Sequence, residues 1–196
     1  MSILIISGSP RKGGNTELLV DAFARGASER LRVLALASEQ VRAGASAGMQ
    51  NHVEIVSVRD YKVNPCWGCN ACFKTNGICA QKDDMPAIYE KMSRADMLVI
   101  ASPVYFYGIS AQLKAVIDRF HNPIRDTFHI KKMALLLVGA ATLPELFDAI
   151  LTEYDLCLKF FNIEDAGKIL VRGVKDKGDI KGTHFLEDAY QLGTSI

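Results

Sequence analysis

No apolar run in this chain of 196 residues approaches the ~20 residues that cross a bilayer, so no helical membrane span is expected. No block of like charge interrupts the mixture of 23 basic and 22 acidic side chains, and the net charge of +1 offers no pull toward nucleic acid or an anionic membrane surface. Neither partner is expected. The start MSILIISGSP lacks the charged stretch and the apolar length of a secretory signal, which makes a cytoplasmic location the expectation. Histidine is scarce, with His52, His121, His129 and His184 scattered, and none falls between Pro65 and Asp84. That spacing disfavours a mixed Cys/His zinc site and offers no clustered proton donor. Neither a Gly-Lys-Ser/Thr phosphate loop nor a G-x-G-x-x-G fingerprint occurs, so ATP and NAD lose ground as the primary bound cofactor.

Against these absences stands one concentration. Four of the five cysteines, Cys66, Cys69, Cys72 and Cys79, follow the spacing C-x2-C-x2-C-x6-C. Three thiols two residues apart let a short loop wrap a compact polynuclear centre, and in a reducing compartment such cysteines are metal ligands or redox thiols rather than disulfides. An iron-sulfur centre is the leading reading, with zinc and free thiols as alternatives. Lys62, Lys74 and Lys82 are close enough in sequence to offset an anionic cluster, and Gly68 and Gly77 permit turns that aim amides at sulfur. Trp67 lies within the run and reads first as a packing residue, with shielding of the site or contact with a flavin across a subunit boundary as the alternatives. Cys157, on the apolar side of a helical pattern with Ile150, Tyr154 and Phe161, reads as a buried inert thiol.

With 49% hydrophobic residues the chain can bury one core, and residues 1–196 read as a single domain with a cysteine-rich loop at 65–84. Short apolar runs at 3–7, 53–58, 97–102, 133–139 and 168–174 alternate with amphipathic stretches opening at Asn15 or Thr16 and covering 85–94, 110–120, about 144–161 and 185–192, the last ending at Gly193. Alternating β and α elements imply an α/β protein with a parallel sheet covered on both faces, and five strands suggest the order 2-1-3-4-5. Residues 33–52, rich in Ala, Ser and Gly, fit poorly; they either extend the first helix to about Gly44 or form an atypical excursion.

Two loops carry the binding chemistry. After the first strand, Ser9, Arg11, Lys12, Gly14, Asn15 and Thr16 combine hydroxyls, free amides and cations at a helix N-terminus, a setting for a terminal phosphate monoester. A glycine-rich turn with a helix cap explains the same residues without a ligand. After the third strand, Pro103, Val104, Tyr105, Phe106 and Gly108 form an aromatic loop along which a planar ring could lie. In the order 2-1-3-4-5 both loops flank the topological switch point, and the loop from Gly139, after the fourth strand, completes the cleft.

GSPRKGGNT, SPVYFYGISAQLKAVIDR, the cysteine run with Asp83-Asp84-Met85 behind it, and KGDIKG with LEDAYQLG together resemble the flavodoxin-like NAD(P)H-dependent FMN reductases, in particular the iron-sulfur flavoproteins. The resemblance implies a flavodoxin-like three-layer sandwich and FMN held through its phosphate by Ser9, Arg11, Asn15 and Thr16, with the isoalloxazine along residues 103–108. It further implies a 4Fe-4S cluster on the four cysteines and a homodimer or homotetramer. The expected function is an FMN-dependent oxidoreductase that passes electrons from NAD(P)H or a reduced protein donor to a small-molecule or protein acceptor. FMN carries that chemistry, so no catalytic side chain is expected. A cluster-free FMN or quinone reductase, a non-enzymatic electron carrier and a redox sensor are the alternatives; the near-neutral charge argues against the carrier.

Overall fold

The computed structural model describes residues 1–41 and 51–196. Its centre is a parallel sheet built from β1 (Ser2–Ser7), β2 (His52–Ser57), β3 (Met97–Pro103), β4 (Lys132–Val138) and β5 (Glu164–Val171), in the order β2-β1-β3-β4-β5. The expected α/β sandwich and strand order are therefore both present. Buried strands of a parallel sheet are apolar on both faces, and the period of two divides their side chains between two cores. Leu4, Ile6, Leu98, Ile100, Leu135 and Leu137 face one layer, while Ile3, Ile5, Met97, Val99, Ala134 and Leu136 face the other.

The first layer holds α3 (Met85–Ser93), α4 (Ala111–Asp118) and α5 (Asp148–Phe161), preceded by the one-turn α2 (Ala71–Lys74) within the cysteine run. The second pairs α1 (Asn15–Val41) with α6 (Phe185–Ser195). α6 does not stop at Gly193 as the sequence suggests. That glycine is a contact residue, because a Cβ there would sit 2.3 Å from the Phe23 carbonyl oxygen, and one at Gly26 would sit 2.1 Å from the Tyr190 carbonyl oxygen. The two backbones cross at a distance only glycine permits.

β5 begins four residues before its expected start. Glu164, Asp165 and Gly167 are weak strand formers, but the strand tolerates them as a sheet edge, where the register against β4 shifts between Met133 and Ala134. The first helix reaches Val41; the rest of the expected excursion, residues 42–50, lies outside the described residues. Among the described residues no helix is long and apolar enough to cross a membrane.

Candidate active site

β1 ends at Ser7 and the chain turns through residues 8–14 into α1. The first intrahelical bond runs from Leu18 N to the Gly14 carbonyl at 3.1 Å, which leaves the preceding amides of the first turn without helical acceptors. Glu17 reaches back to accept from Gly13 N, where φ is +65°, and is itself paired with Arg59. The loop is thus braced by the Glu17 side chain. Ser9 and Thr16 are buried; the Ser9 hydroxyl accepts from Arg11 N at 3.2 Å, and the Thr16 hydroxyl has no partner among the described residues. Arg11 and Lys12 are exposed and form no ion pair among the described residues, and Gly14 is buried at the helix entry. Donors, a helix terminus and two available cations fit a phosphate monoester.

Asn15 is placed differently from the other expected phosphate ligands. Its Nδ2 donates to the Asp176 carbonyl at 2.8 Å and its Oδ1 accepts from Gly178 N at 2.9 Å, so both ends of the amide hold the 176–180 loop against the start of α1. This loop brings Lys177 over Gly13, with Lys177 Cε and Nζ 3.1 Å from where a Cβ at Gly13 would stand.

The second loop folds as a tight hairpin. Tyr105 N donates to the Gly108 carbonyl at 2.9 Å and Gly108 N returns a bond at 3.1 Å, while Phe106 and Tyr107 take φ of +47° and +64°. Two consecutive bulky residues in the left-handed region are strained, a feature that clusters at ligand sites. Ordinary core packing does not account for these aromatics, since Phe106 is 98% exposed and Tyr105 and Tyr107 are also exposed. Pro103 and Val104 are half-buried at the base, where Val104 N bonds the Val138 carbonyl at 2.8 Å.

One buried hydroxyl joins the two loops. Ser110 caps α4 by accepting from Leu113 N at 3.3 Å, its hydroxyl donates to the Gly8 carbonyl at 2.7 Å, and its backbone N donates to the Ser102 hydroxyl at 3.0 Å. Gly8 in turn has no room for a Cβ, which would stand 2.8 Å from Leu113. The phosphate and ring loops therefore meet at the switch point as a single rigid edge. Gly139 closes the same edge through its amide bond to the Val171 carbonyl at 2.8 Å; a side chain there would collide with Leu146.

All four clustered cysteines line one cavity of about 290 Å³ and none is in a disulfide. Turns at Gly68 (φ +64°) and Gly77 (φ +93°) shape the run. Gly68 N donates to Cys66 Sγ and Gln81 N to Cys79 Sγ, each at 3.4 Å. Side chains pin the loop from behind: Gln81 Nε2 on the Pro65 carbonyl at 2.8 Å, Asn122 Nδ2 on the Gly77 carbonyl at 2.9 Å, and Arg119 Nη1 on the Asn64 carbonyl at 3.2 Å. Two buried polar atoms belonging to side chains of the cavity wall, Arg119 Nη2 and Gln81 Oε1, have no partner. Among the described residues no three His, Cys, Asp or Glu side chains are gathered round a point where a single metal ion would sit. The donor set of four thiols on a roomy cavity, with the Arg119 side chain on the same wall, fits an anionic polynuclear centre in its ligand chemistry.

Residues 1–146, which run from β1 to the turn before α5 and contain both loops and the cysteine cavity, match the NADPH-dependent FMN reductase family. The chain belongs to that family. Its relatives put this FMN reductase family member on the iron-sulfur flavoprotein branch: an iron-sulfur flavoprotein of Methanocaldococcus jannaschii is 40% identical over 143 residues, covering 72% of this chain and 63% of that protein. A second, from Methanosarcina thermophila, is 38% identical over 141 residues, covering 72% and 61%. The chain thus matches just over three-fifths of the length of these two curated relatives. A solved azoreductase of Bacillus anthracis shares the fold, with a TM-score of 0.69 at 15% identity over the full length of both chains.

Several residues of this FMN reductase family member escape a sequence reading. Lys62, Lys74 and Lys82, the expected counter-charges, are exposed and none lines the cysteine cavity; the cation that does is Arg119, at the end of α4. Ser110 reads in sequence only as the start of a helical stretch, and Lys177 sits far along the chain from the loop it covers. Trp67 does not pack inside the protein but is 69% exposed at the cavity rim. Cys157 is half-buried, on the wall of a separate apolar cavity of about 100 Å³ under α5, and burial raises its thiol above its ordinary value.

Proposed function

We propose that this chain is a flavin-dependent oxidoreductase that takes electrons from NAD(P)H or a reduced protein donor and passes them through FMN, and through a 4Fe-4S cluster on Cys66, Cys69, Cys72 and Cys79, to an acceptor. The observation that carries the reading is the Ser110 junction, which fixes a donor-rich phosphate loop and a strained aromatic hairpin at one sheet edge. Ser9, Thr16 and the free amides of the first turn of α1 would hold the phosphate, with Arg11 and Lys12 neutralising it, while residues 103–108 would carry the ring. Bound FMN supplies hydride acceptance and stepwise electron release. The protein's part is to orient the ring, to exclude water with Tyr105 and its neighbours, and to fix the cysteine loop through Gln81, Asn122 and Arg119. A homodimer or homotetramer is the proposed assembly, supported by exposed Val33, Leu34 and Leu36 on α1 and by Phe106 at the hairpin tip.

Two experiments test the two centres separately. Replacing Arg11→Ala together with Thr16→Val removes phosphate contacts worth ~1–3 kcal/mol each, so FMN titrated into the apoprotein and followed by quenching of flavin fluorescence should bind at least ~10-fold more weakly. Unchanged affinity would remove the phosphate loop from the site. For the cysteines, anaerobically prepared Cys72→Ala should lose bound iron and the broad visible absorption of a cluster while keeping its flavin bands. Wild-type protein without iron would leave a cluster-free reductase as the function.

A further inference from the structure

Arg119 is the one permanent cation on the wall of the cysteine cavity among the described residues. Its side chain is 3% exposed and its pairing partner, Asp83, is 0% exposed, so water does little to screen either charge. Arg119 Nη1 is spent on Asp83 Oδ2 at 2.9 Å and on the Asn64 carbonyl at 3.2 Å, whereas Nη2 is buried with no acceptor. A guanidinium N–H held in that state is destabilising, and it leaves the positive charge of Arg119 only partly spent on its partners. The other unpartnered atom, Gln81 Oε1, is itself an acceptor and cannot serve as a counter-charge. Asp118, the acidic side chain on the same wall, is already engaged by Lys114 on α4.

The charge geometry is directional. Asp83 is fastened by Asn64 N at 3.0 Å and Met85 N at 3.2 Å and is absent from the cavity wall, whereas its partner Arg119 shares that wall with the four cysteines. Tyr89 OH donates to the Arg119 carbonyl at 2.6 Å and fixes the backbone from which the guanidinium projects. Cys79 and Arg119 line the same cavity wall. We propose that Arg119 is a positioning residue for an anionic cluster on the four cysteines, whose buried positive charge raises the cluster's reduction potential while Asp83 opposes it. The inference rests on the cluster reading above. Reduction adds one electron and one unit of negative charge to the site, with no bond formed or broken, so a fixed cation favours the reduced state and a fixed anion the oxidised one.

The test is a dithionite titration of full-length protein, reconstituted anaerobically with ferrous iron and sulfide and followed by electron paramagnetic resonance; dithionite supplies the electron. Arg119→Gln should lower the potential by at least a tenfold change in the oxidised-to-reduced ratio, which is ~59 mV for a one-electron couple. Asp83→Asn should move it the opposite way, and Arg119→Lys should stay nearer wild type. Should either single neutral variant fail to fold, the Asp83→Asn/Arg119→Gln double variant retains no lone buried charge, and its potential should fall below that of wild type. Cluster-loaded variants, the double included, that all titrate with wild type would overturn the inference and leave Arg119 a purely structural pin. Wild-type protein that takes up neither iron nor sulfide would instead overturn the cluster reading and this inference with it, a result distinguishable by metal analysis alone.

Discussion

Gly26→Ala should lower the stability of the whole domain by ~3 kcal/mol or more, the upper end of what overpacking does, because the added methyl meets backbone rather than a side chain that can turn away. The Cβ would stand 2.1 Å from the Tyr190 carbonyl oxygen and 3.1 Å from Thr194 N on α6. The opposing glycine is as constrained, its Cβ 2.8 Å from Ala27 N. Relief requires α6 to lift off α1, which opens the layer holding Phe23, Ala27 and Ala189. For a domain of this size the melting temperature should drop by roughly 6–12 °C in a thermal scan. Gly193→Ala should act in the same direction, and the double variant should lose less than the sum, since one separation of the helices relieves both clashes. A Gly26→Ala protein that melts with wild type would show that the helices do not meet at backbone contact.

Asp83→Asn should destabilise the protein at neutral pH by ~3–5 kcal/mol, because it leaves the Arg119 guanidinium buried without its counter-charge. The same variant has a pH signature. Burial pushes the Asp83 carboxyl upward, but the Arg119 hydrogen bond and the amides of Asn64 and Met85 outweigh it and hold the group below its ordinary value of 3.8. A carboxylate depressed in the folded state contributes stability that is full above the unfolded value and is lost as pH falls through the lower folded one. Wild type should therefore lose stability in the window below pH 3.8, and Asp83→Asn should lose less over the same range. Urea midpoints at pH 7 and near pH 3 measure both; parallel losses in the two proteins would mean that the pair does not shift the carboxyl.

The parts of the fold that were legible in the sequence are those where local pattern and tertiary role agree. β1, β3 and β4 are continuous apolar runs, and buried parallel strands need that composition. α4 shows its inward face at Leu113, Val116 and Phe120. β5 was displaced because Glu164, Asp165 and Gly167 carry no strand signal and are tolerated only at the sheet edge. Gly193 looked like a helix stop because the same residue type serves a cap and a close crossing, and only the partner helix distinguishes them. In the site, the types of residue in the phosphate and aromatic loops were readable. Asn15 was not readable as a clamp, nor Arg119 as the cavity's cation, since both roles are set by segments distant in sequence, 176–180 and the loop from Asn64 to Asp83.

The serine that ties the two loops has a mechanical meaning. Because the Ser110 hydroxyl is bonded at once to the Gly8 carbonyl and the Leu113 amide, neither loop can shift without breaking the start of α4. Tightening around the tail of a bound cofactor and adjustment around its ring are then one motion rather than two. A ligand that fits only one end gains little by reshaping the other, so this edge selects for molecules whose two ends are the right distance apart.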